Sequence, residues 1–242
     1  YMQDFRVYKG VAKYTTDFIP ASTNPDILPD TPSGVALSSN LAKVTDGSVK
    51  FDGTGDVVYA PDSSDFTLGT NDFTAECWIY RTRTSVDEWF FTQSDAISTN
   101  TSFGLHIDAT TNYLEGRVQN GDTSSSVDIA GTTALTTGIW YHCAWVRDGS
   151  TLRLYLNGVE ENTASIGSDA AVDSTSTMNV GALKSDGTNG TACYISNARL
   201  VNGTCLYPDG TTFTPPTEPL TAVTNTKLLC CQSNTSGGAA AV

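Results

Sequence analysis

The clearest pattern of apolar and polar positions runs from residue 139 to residue 162, "IWYHCAWVRDGSTLRLYLNGVEEN". Apolar and polar residues alternate through "WYHCAWVR", "DGS" makes a tight turn at Gly149, and "TLRLYL" alternates again. Asn157-Gly158 then supplies the type I′ hairpin signal, since both central residues of that turn need positive φ. Two hairpins in tandem predict an antiparallel meander. Runs of the same kind recur at "DFTAECWIYR", "EWFFTQ", "SFGLHID", "NYLEGRVQ", "SSVDIAG", "MNVGALK", "CYISNARLVNG" and "KLLCCQS". Two short strands around a Gly-Asp turn are expected in "SVKFDGTGDVVYAPDSSDF". No stretch sustains a helical period, and turn signals fall about every ten residues. The expected fold is all-β: a two-sheet antiparallel β-sandwich of the jelly-roll kind, with about a dozen strands.

One phrase occurs twice. The chain opens with "YMQDFRVYKGVAKYTTDFIP" and later reads "YISNARLVNGTCLYPDGTTFTP". Tyr1 falls on Tyr194, Arg6 on Arg199, Gly10 on Gly203 and Tyr14 on Tyr207; after a two-residue insertion, Phe18 falls on Phe213 and Pro20 on Pro215. Each copy reads as a strand, a glycine turn and an extended exit. Between the first copy and the main body lie Pro20, Pro25, Pro29 and Pro32, with little periodic apolar content. That stretch reads as an extended linker.

Composition narrows the function classes. The 242 residues are enough for one large β domain or two small ones, and their formal net charge is −13. Such a surface repels phosphate backbones and anionic headgroups, which argues against nucleic-acid and membrane-surface partners. No window approaches the ~20 apolar residues of a spanning helix. Tyr1 stands where an initiator Met would, so the reading is a processed N-terminus or a piece of something longer. The six cysteines contain no C-x-x-C pair and only His106 and His142 accompany them, a poor basis for zinc. Cys77 and Cys143 read as small core hydrophobes, and a bridge from Cys205 to Cys230 or its neighbour Cys231 is the candidate disulfide. The N-x-S/T triplets at Asn100, Asn189, Asn202 and Asn234 are read as a product of Thr-rich composition.

"SVKFDGTGDVVYAPDSSDFTLGTNDFTAECWIYR", "GIWYHCAWVRDGSTLRLYLNGVE" and "CYISNARLVNG" together resemble the laminin-G-like branch of the concanavalin A-like lectin/glucanase superfamily. The resemblance covers roughly residues 46–217 in the family's order. In that family the third phrase is the last strand of a module. The resemblance therefore implies that residues 1–20 are the closing strand of a preceding module, 21–47 a linker, 48–231 one complete module and 232–242 an exit linker. An orphan strand at 1–20 adding to another subunit's sheet is the variant of that view. Tandem arrays of this kind resemble the tail fibres and other long appendages of marine bacteriophage virions. The expected partners are neighbouring copies or modules of the same fibre and host-surface glycans, and the expected location is virion or extracellular. The expected function is a non-enzymatic structural or adhesion module; the alternative is a filament subunit that assembles by strand contacts without binding sugar.

The resemblance also directs attention to sites. Lectins of the superfamily hold sugars with an aromatic platform and Asp/Asn acceptors, which makes Trp89, Tyr113, Asp108, Asn112 and Asn120 the glycan candidates. The competing reading makes the two aromatics sheet or core residues and the others turn formers. Trp78, Trp140 and Trp145 sit in motif strands and are read as structural, as is His142. Ca²⁺ is the candidate ion, held by Asp52, Asp56 and Asn197, with turn-forming Asp as the alternative. Glucanases of this fold carry paired carboxylates as E-x-D-x-x-E on one strand, and no such pattern occurs here. Asp87-Glu88 and Glu160-Glu161 are adjacent, so a strand directs them to opposite faces.

Overall fold

The computed structural model describes residues 47–94, 101–121 and 125–232. The chain divides between Lys43 and Val44, and every described residue belongs to the second unit. The expected closing strand at 1–20 lies outside the described residues, as do the linker 21–47 apart from Gly47 and the exit 232–242 apart from Gln232.

Alternation in the sequence becomes pleat in the structure. Thirteen strands and one 3-10 turn at Ser64–Phe66 form among the described residues, with no α-helix. The first sheet runs β1 (Val49–Lys50), β12 (Cys193–Asn202), β3 (Phe73–Arg81), β8 (Trp140–Asp148), β9 (Thr151–Leu156) and β10 (Val159–Ser165), and β13 (Thr226–Cys230) also pairs with β12. The second runs β2 (Val58–Ala60), β11 (Met178–Val180), β4 (Glu88–Ser94), β5 (Thr101–Ile107), β6 (Tyr113–Gln119) and β7 (Ser126–Ala134). Every strand pair is antiparallel. The meander is β8–β9–β10, and Asn157 and Gly158 hold φ of 52° and 78°, as a type I′ turn requires. β1 and β2 lie in different sheets, so the Asp52–Asp56 turn between them carries the chain across the sandwich.

Inward residues of both sheets form one core. Phe73 and Ile79 of β3, Trp145 of β8 and Leu154 of β9 meet Phe90 and Phe91 of β4, Leu105 of β5 and Val118 of β6, all buried. Phe73 bridges the sheets by an edge-to-face contact with Phe103, centroids 5.4 Å apart. Each such side chain contributes about 1.5–3 kcal/mol of transfer free energy. Gly116 of β6 is fixed by this packing, because a Cβ there would collide with the Trp145 indole. Along one side, β7 is tied to β10 by side chains. Glu161 accepts from the backbone and hydroxyl groups of Thr132 and Thr133 at 2.7–2.9 Å, and Asn162 Nδ2 donates to the Ala130 carbonyl at 2.9 Å.

Candidate functional site

The outer faces of the two sheets differ in how their polar groups are used. On the first sheet, Glu76 of β3 points away from the core and is fully buried. His142 Nε2 lies 3.1 Å from its Oε2, the Tyr207 hydroxyl donates to that oxygen at 2.7 Å, and the Arg199 guanidinium donates to Oε1 through Nε (2.9 Å) and Nη2. Burial pushes the Glu76 carboxyl upward, but His142, Arg199 and Tyr207 outweigh it and hold it below the ordinary glutamate value. The segment following β12 covers this cluster. Tyr207 and Phe213 stack at 3.7 Å and pack with Cys205 on Ala144, Val146 and Tyr155. His142 is therefore a structural hydrogen-bonding residue, as its place in the motif implies.

Beyond the covering segment, the same face presents a row of aromatics. Tyr194, Tyr80 and Trp140 are register partners on three neighbouring strands, with ring centroids 5.8 and 5.5 Å apart, and all three are half-buried. Trp145 is wholly in the core and Trp78 is buried on this outer face against His142, but Trp140 meets solvent. Only the strand register places the row together, since its members are 54 to 114 residues apart in pairs drawn from Tyr80, Trp140 and Tyr194.

The outer face of the second sheet carries Trp89, His106, Glu115, Arg117 and Asp128. Trp89 stacks on its register partner His106 at 4.0 Å with the rings 12° from parallel. His106 Nε2 is 3.7 Å from Glu115 Oε2, and Arg117 Nε is 3.5 Å from Asp128 Oδ1. Trp89 Nε1, His106 Nδ1 and Arg117 Nε are buried without hydrogen-bond partners. Burial pushes the His106 imidazolium down to about 4, against the opposing pull of Asp87, Asp108 and Asp128. Burial and the same three carboxylates raise Glu115.

The expected glycan residues divide between two ends of this sheet. Asp108, Asn112 and Tyr113 share the β5–β6 turn, where Asp108 Oδ1 accepts from Thr110 N, Thr111 N and Thr111 Oγ1 at 2.8–2.9 Å. Asn112 takes φ of 60° in that turn, so Asp108 and Asn112 act as turn formers. Asn120 sits past the far end of β6 and donates to Asp169 at 3.0 Å. Trp89 is 6% exposed with one ring face taken by His106, so it offers no open platform.

The candidate ion ligands are likewise apart. Asp56 Oδ2 accepts from Asp52 N at 2.8 Å and Asp52 Oδ1 from Thr54 N at 2.7 Å, so both carboxylates close their own turn. Val49 pairs with Ile195, which sets Asn197 on the Gly47 side of β1 and Asp52 on the other. Asn197 Oδ1 instead accepts from Leu220 N at 3.1 Å and Gln232 Nε2 at 2.8 Å, at a bulge where its φ is 54°. Among the described residues no group of three or more His, Cys, Asp or Glu could hold a metal. The Cys205–Cys230 bridge does not form: Cys205 packs on the outer face of the first sheet and Cys230 in the core, with Cys231 Sγ 3.7 Å from it. All six thiols are free, and burial raises those of Cys77, Cys143 and Cys193 far above reactive values.

A family model described as the concanavalin A-like lectin/glucanases superfamily matches residues 52–206. The chain belongs to this superfamily. The match includes Glu76, His142 and Arg199 and ends one residue before Tyr207. A candidate carbohydrate-binding protein from Bacteroides ovatus superposes with a TM-score of 0.56 at 16% identity, covering 80% of this chain and 53% of that one. The heptameric SAP-like pentraxin of Limulus polyphemus gives 0.48 at 14% identity, over 71% and 89% of the two chains. Domains LG4-5 of the mouse laminin α1 chain give 0.48 at 16% identity, over 71% and 47%. The comparison with curated proteins returned no match.

Proposed function

We propose that this chain is a non-enzymatic structural and adhesion module, repeated along an extracellular or virion fibre and contacting surface glycans. The observation that carries the modular part is the duplicated phrase. Arg199, Tyr207 and Phe213 are the residues that cover and neutralise Glu76, and one sandwich uses that set once. Arg6, Tyr14 and Phe18 reproduce the set at the same spacing but for the two-residue insertion. A second closing set belongs to a second sandwich, whose own glutamate and histidine it would cover. Modules strung this way make weak single sites effective through high local concentration.

The non-enzymatic part is supported by the use of the acids. Glu76 is spent on Arg199, Glu160 on Arg153 at 2.8 Å, and Glu161 on the β7 threonines. The glycan part is supported by the half-exposed row Tyr194–Tyr80–Trp140 and by the carbohydrate-binding description of the Bacteroides ovatus protein.

Paired substitutions in the full chain test the modular reading. Arg199→Ala strands a buried carboxylate and should remove about 3–5 kcal/mol. Arg6→Ala should leave the thermal midpoint of this sandwich where it was. A comparable loss from Arg6→Ala would make residues 1–20 part of this module's own structure and end the reading.

A further inference from the structure

A small polar pocket opens where the segments on either side of β11 meet the end of β4. Its volume is about 300 Å³, with Thr175, Ser176 and Thr177 on one wall and Lys184, Ser185 and Asp186 on the other. Both walls are pinned from beneath by buried side chains. Gln93 Nε2 donates to the carbonyls of Ser174 (3.4 Å) and Ser176 (3.3 Å). Thr92 Oγ1 lies 3.0 and 2.9 Å from the carbonyls of Ala182 and Leu183, and Asn179 Nδ2 lies 3.2 Å from Thr92 Oγ1 and 3.3 Å from the Leu183 carbonyl. Thr177 Oγ1 donates to Asn179 Oδ1 at 2.7 Å. Thr92, Gln93 and Asn179 are 0–1% exposed. The pocket is thus held in shape before any ligand arrives.

One lining residue keeps a buried hydroxyl without a partner. Ser176 is 6% exposed, yet its Oγ has no hydrogen-bond partner. Leaving a buried hydroxyl unpaired costs about 1–3 kcal/mol, so such an atom marks where a ligand group fits.

Resting on the glycan-contact reading above, we infer that this pocket takes a single neutral pyranose unit, gripped by its hydroxyl edge through Ser176 and the Lys184 and Asp186 side chains. The charges select the class. Lys184 and Asp186 cancel, and a phosphate would face both Asp186 and a chain of net charge −13. A divalent cation would face Lys184, with one carboxylate to hold it. Sugar hydroxyls need donors and acceptors side by side, which the serines, threonines, ammonium and carboxylate provide. Among the described residues no aromatic lines the walls, so the ring is held by its edge rather than stacked.

The test uses the full ¹⁵N-labelled chain titrated separately with a panel of methyl pyranosides, inorganic phosphate and CaCl₂. A pyranoside should shift the amides of 174–177 and 183–187, with affinity near the millimolar range. Ser176→Ala removes only an unbonded hydroxyl, so its thermal midpoint should hold or rise while pyranoside affinity drops roughly five- to tenfold. Unchanged affinity in Ser176→Ala overturns the pocket assignment, as do shifts there from phosphate or Ca²⁺ but from no sugar. Sugar-induced shifts confined to Tyr80, Trp140 and Tyr194 also overturn it while leaving glycan contact standing. No response to any pyranoside or to an immobilised glycan array removes both.

Discussion

The two sheets share a core but treat the carboxylates of their outer faces differently. On the first, Glu76 has three partners from two other strands and the covering segment, and none of its carboxylate oxygens is idle. On the second, Trp89 Nε1, His106 Nδ1 and Arg117 Nε are buried without partners, and the charged pairs stand at 3.5–3.7 Å rather than at hydrogen-bond distance. Buried nitrogens without partners occur on the first face too, at Trp78 Nε1, His142 Nδ1 and Arg153 Nε, so the difference lies in the carboxylates: Glu76 is clasped by three groups, whereas Glu115 faces His106 at 3.7 Å. The Glu76 clasp and the segment over it thus close the first face, while among the described residues the second face carries no comparable clasp.

The largest expected effect separates the two faces directly. Glu76→Gln keeps the shape but leaves Arg199 buried without its counter-charge, and should lower the unfolding free energy by about 3–5 kcal/mol. Glu115→Gln on the other face should fall within about 0.5 kcal/mol of the parent. Its carboxylate is already disfavoured by burial and by Asp108, Asp128 and Asp87. Chemical denaturation of both variants at neutral pH measures the contrast, and equal losses would erase the distinction between closed and open faces.

Acid should resolve the same distinction by pH window. His106 titrates at about 4 in the folded chain against an ordinary 6.5, so only the unfolded state takes the proton between those values. Stability therefore falls as pH drops from about 6.5 to 4, by up to roughly 3 kcal/mol. Glu115 works the other way in part, since its raised folded value means protonation favours the fold. Glu76 has a lowered folded value, so its contribution is present above pH 4.5 and is lost as pH falls below that. His106→Phe, which keeps a ring on Trp89, should flatten the upper window and leave the lower one. A midpoint-against-pH curve unchanged by His106→Phe would show that the open face does not titrate as described.

The fold was legible in the sequence because alternation and turn chemistry are local. "WYHCAWVR", "TLRLYL" and Asn157-Gly158 each specify strand or turn without help from elsewhere. The site was less legible because its bonds are long-range: Glu76 reaches His142, Arg199 and Tyr207 across 66, 123 and 131 residues. A signal was nonetheless present. Glu76, His142 and Arg199 are ionisable residues inside apolar strand runs, and buried charges must be paired. Trp89 was harder. A bulge between Trp89 and Phe91 breaks the period of two, so Trp89, Phe90 and Phe91 are all buried and no pattern assigns the outward one. Asp108 and Asn112 look alike as sugar acceptors and as turn formers, and only their hydrogen bonds separate the two roles.

The smallest effect is the sharpest probe of how the closed face is built. Tyr207→Phe deletes one oxygen and keeps the ring that stacks on Phe213, so packing over Ala144, Val146 and Tyr155 is retained. What goes is one hydrogen bond to a charged acceptor, worth about 1.5–3 kcal/mol and expected at the low end because His142 Nε2 still sits against the same oxygen. The loss should also move the acid limb of stability to higher pH. Tyr207 is one of the groups that hold Glu76 below its ordinary value, and without it the carboxyl protonates sooner. A variant that loses stability equally at every pH would mean that the hydroxyl contributes packing alone. Loss that is largest at neutral pH and shrinks as Glu76 becomes protonated would identify Tyr207 as part of the charge clasp, and Tyr14 as its counterpart in the repeated phrase.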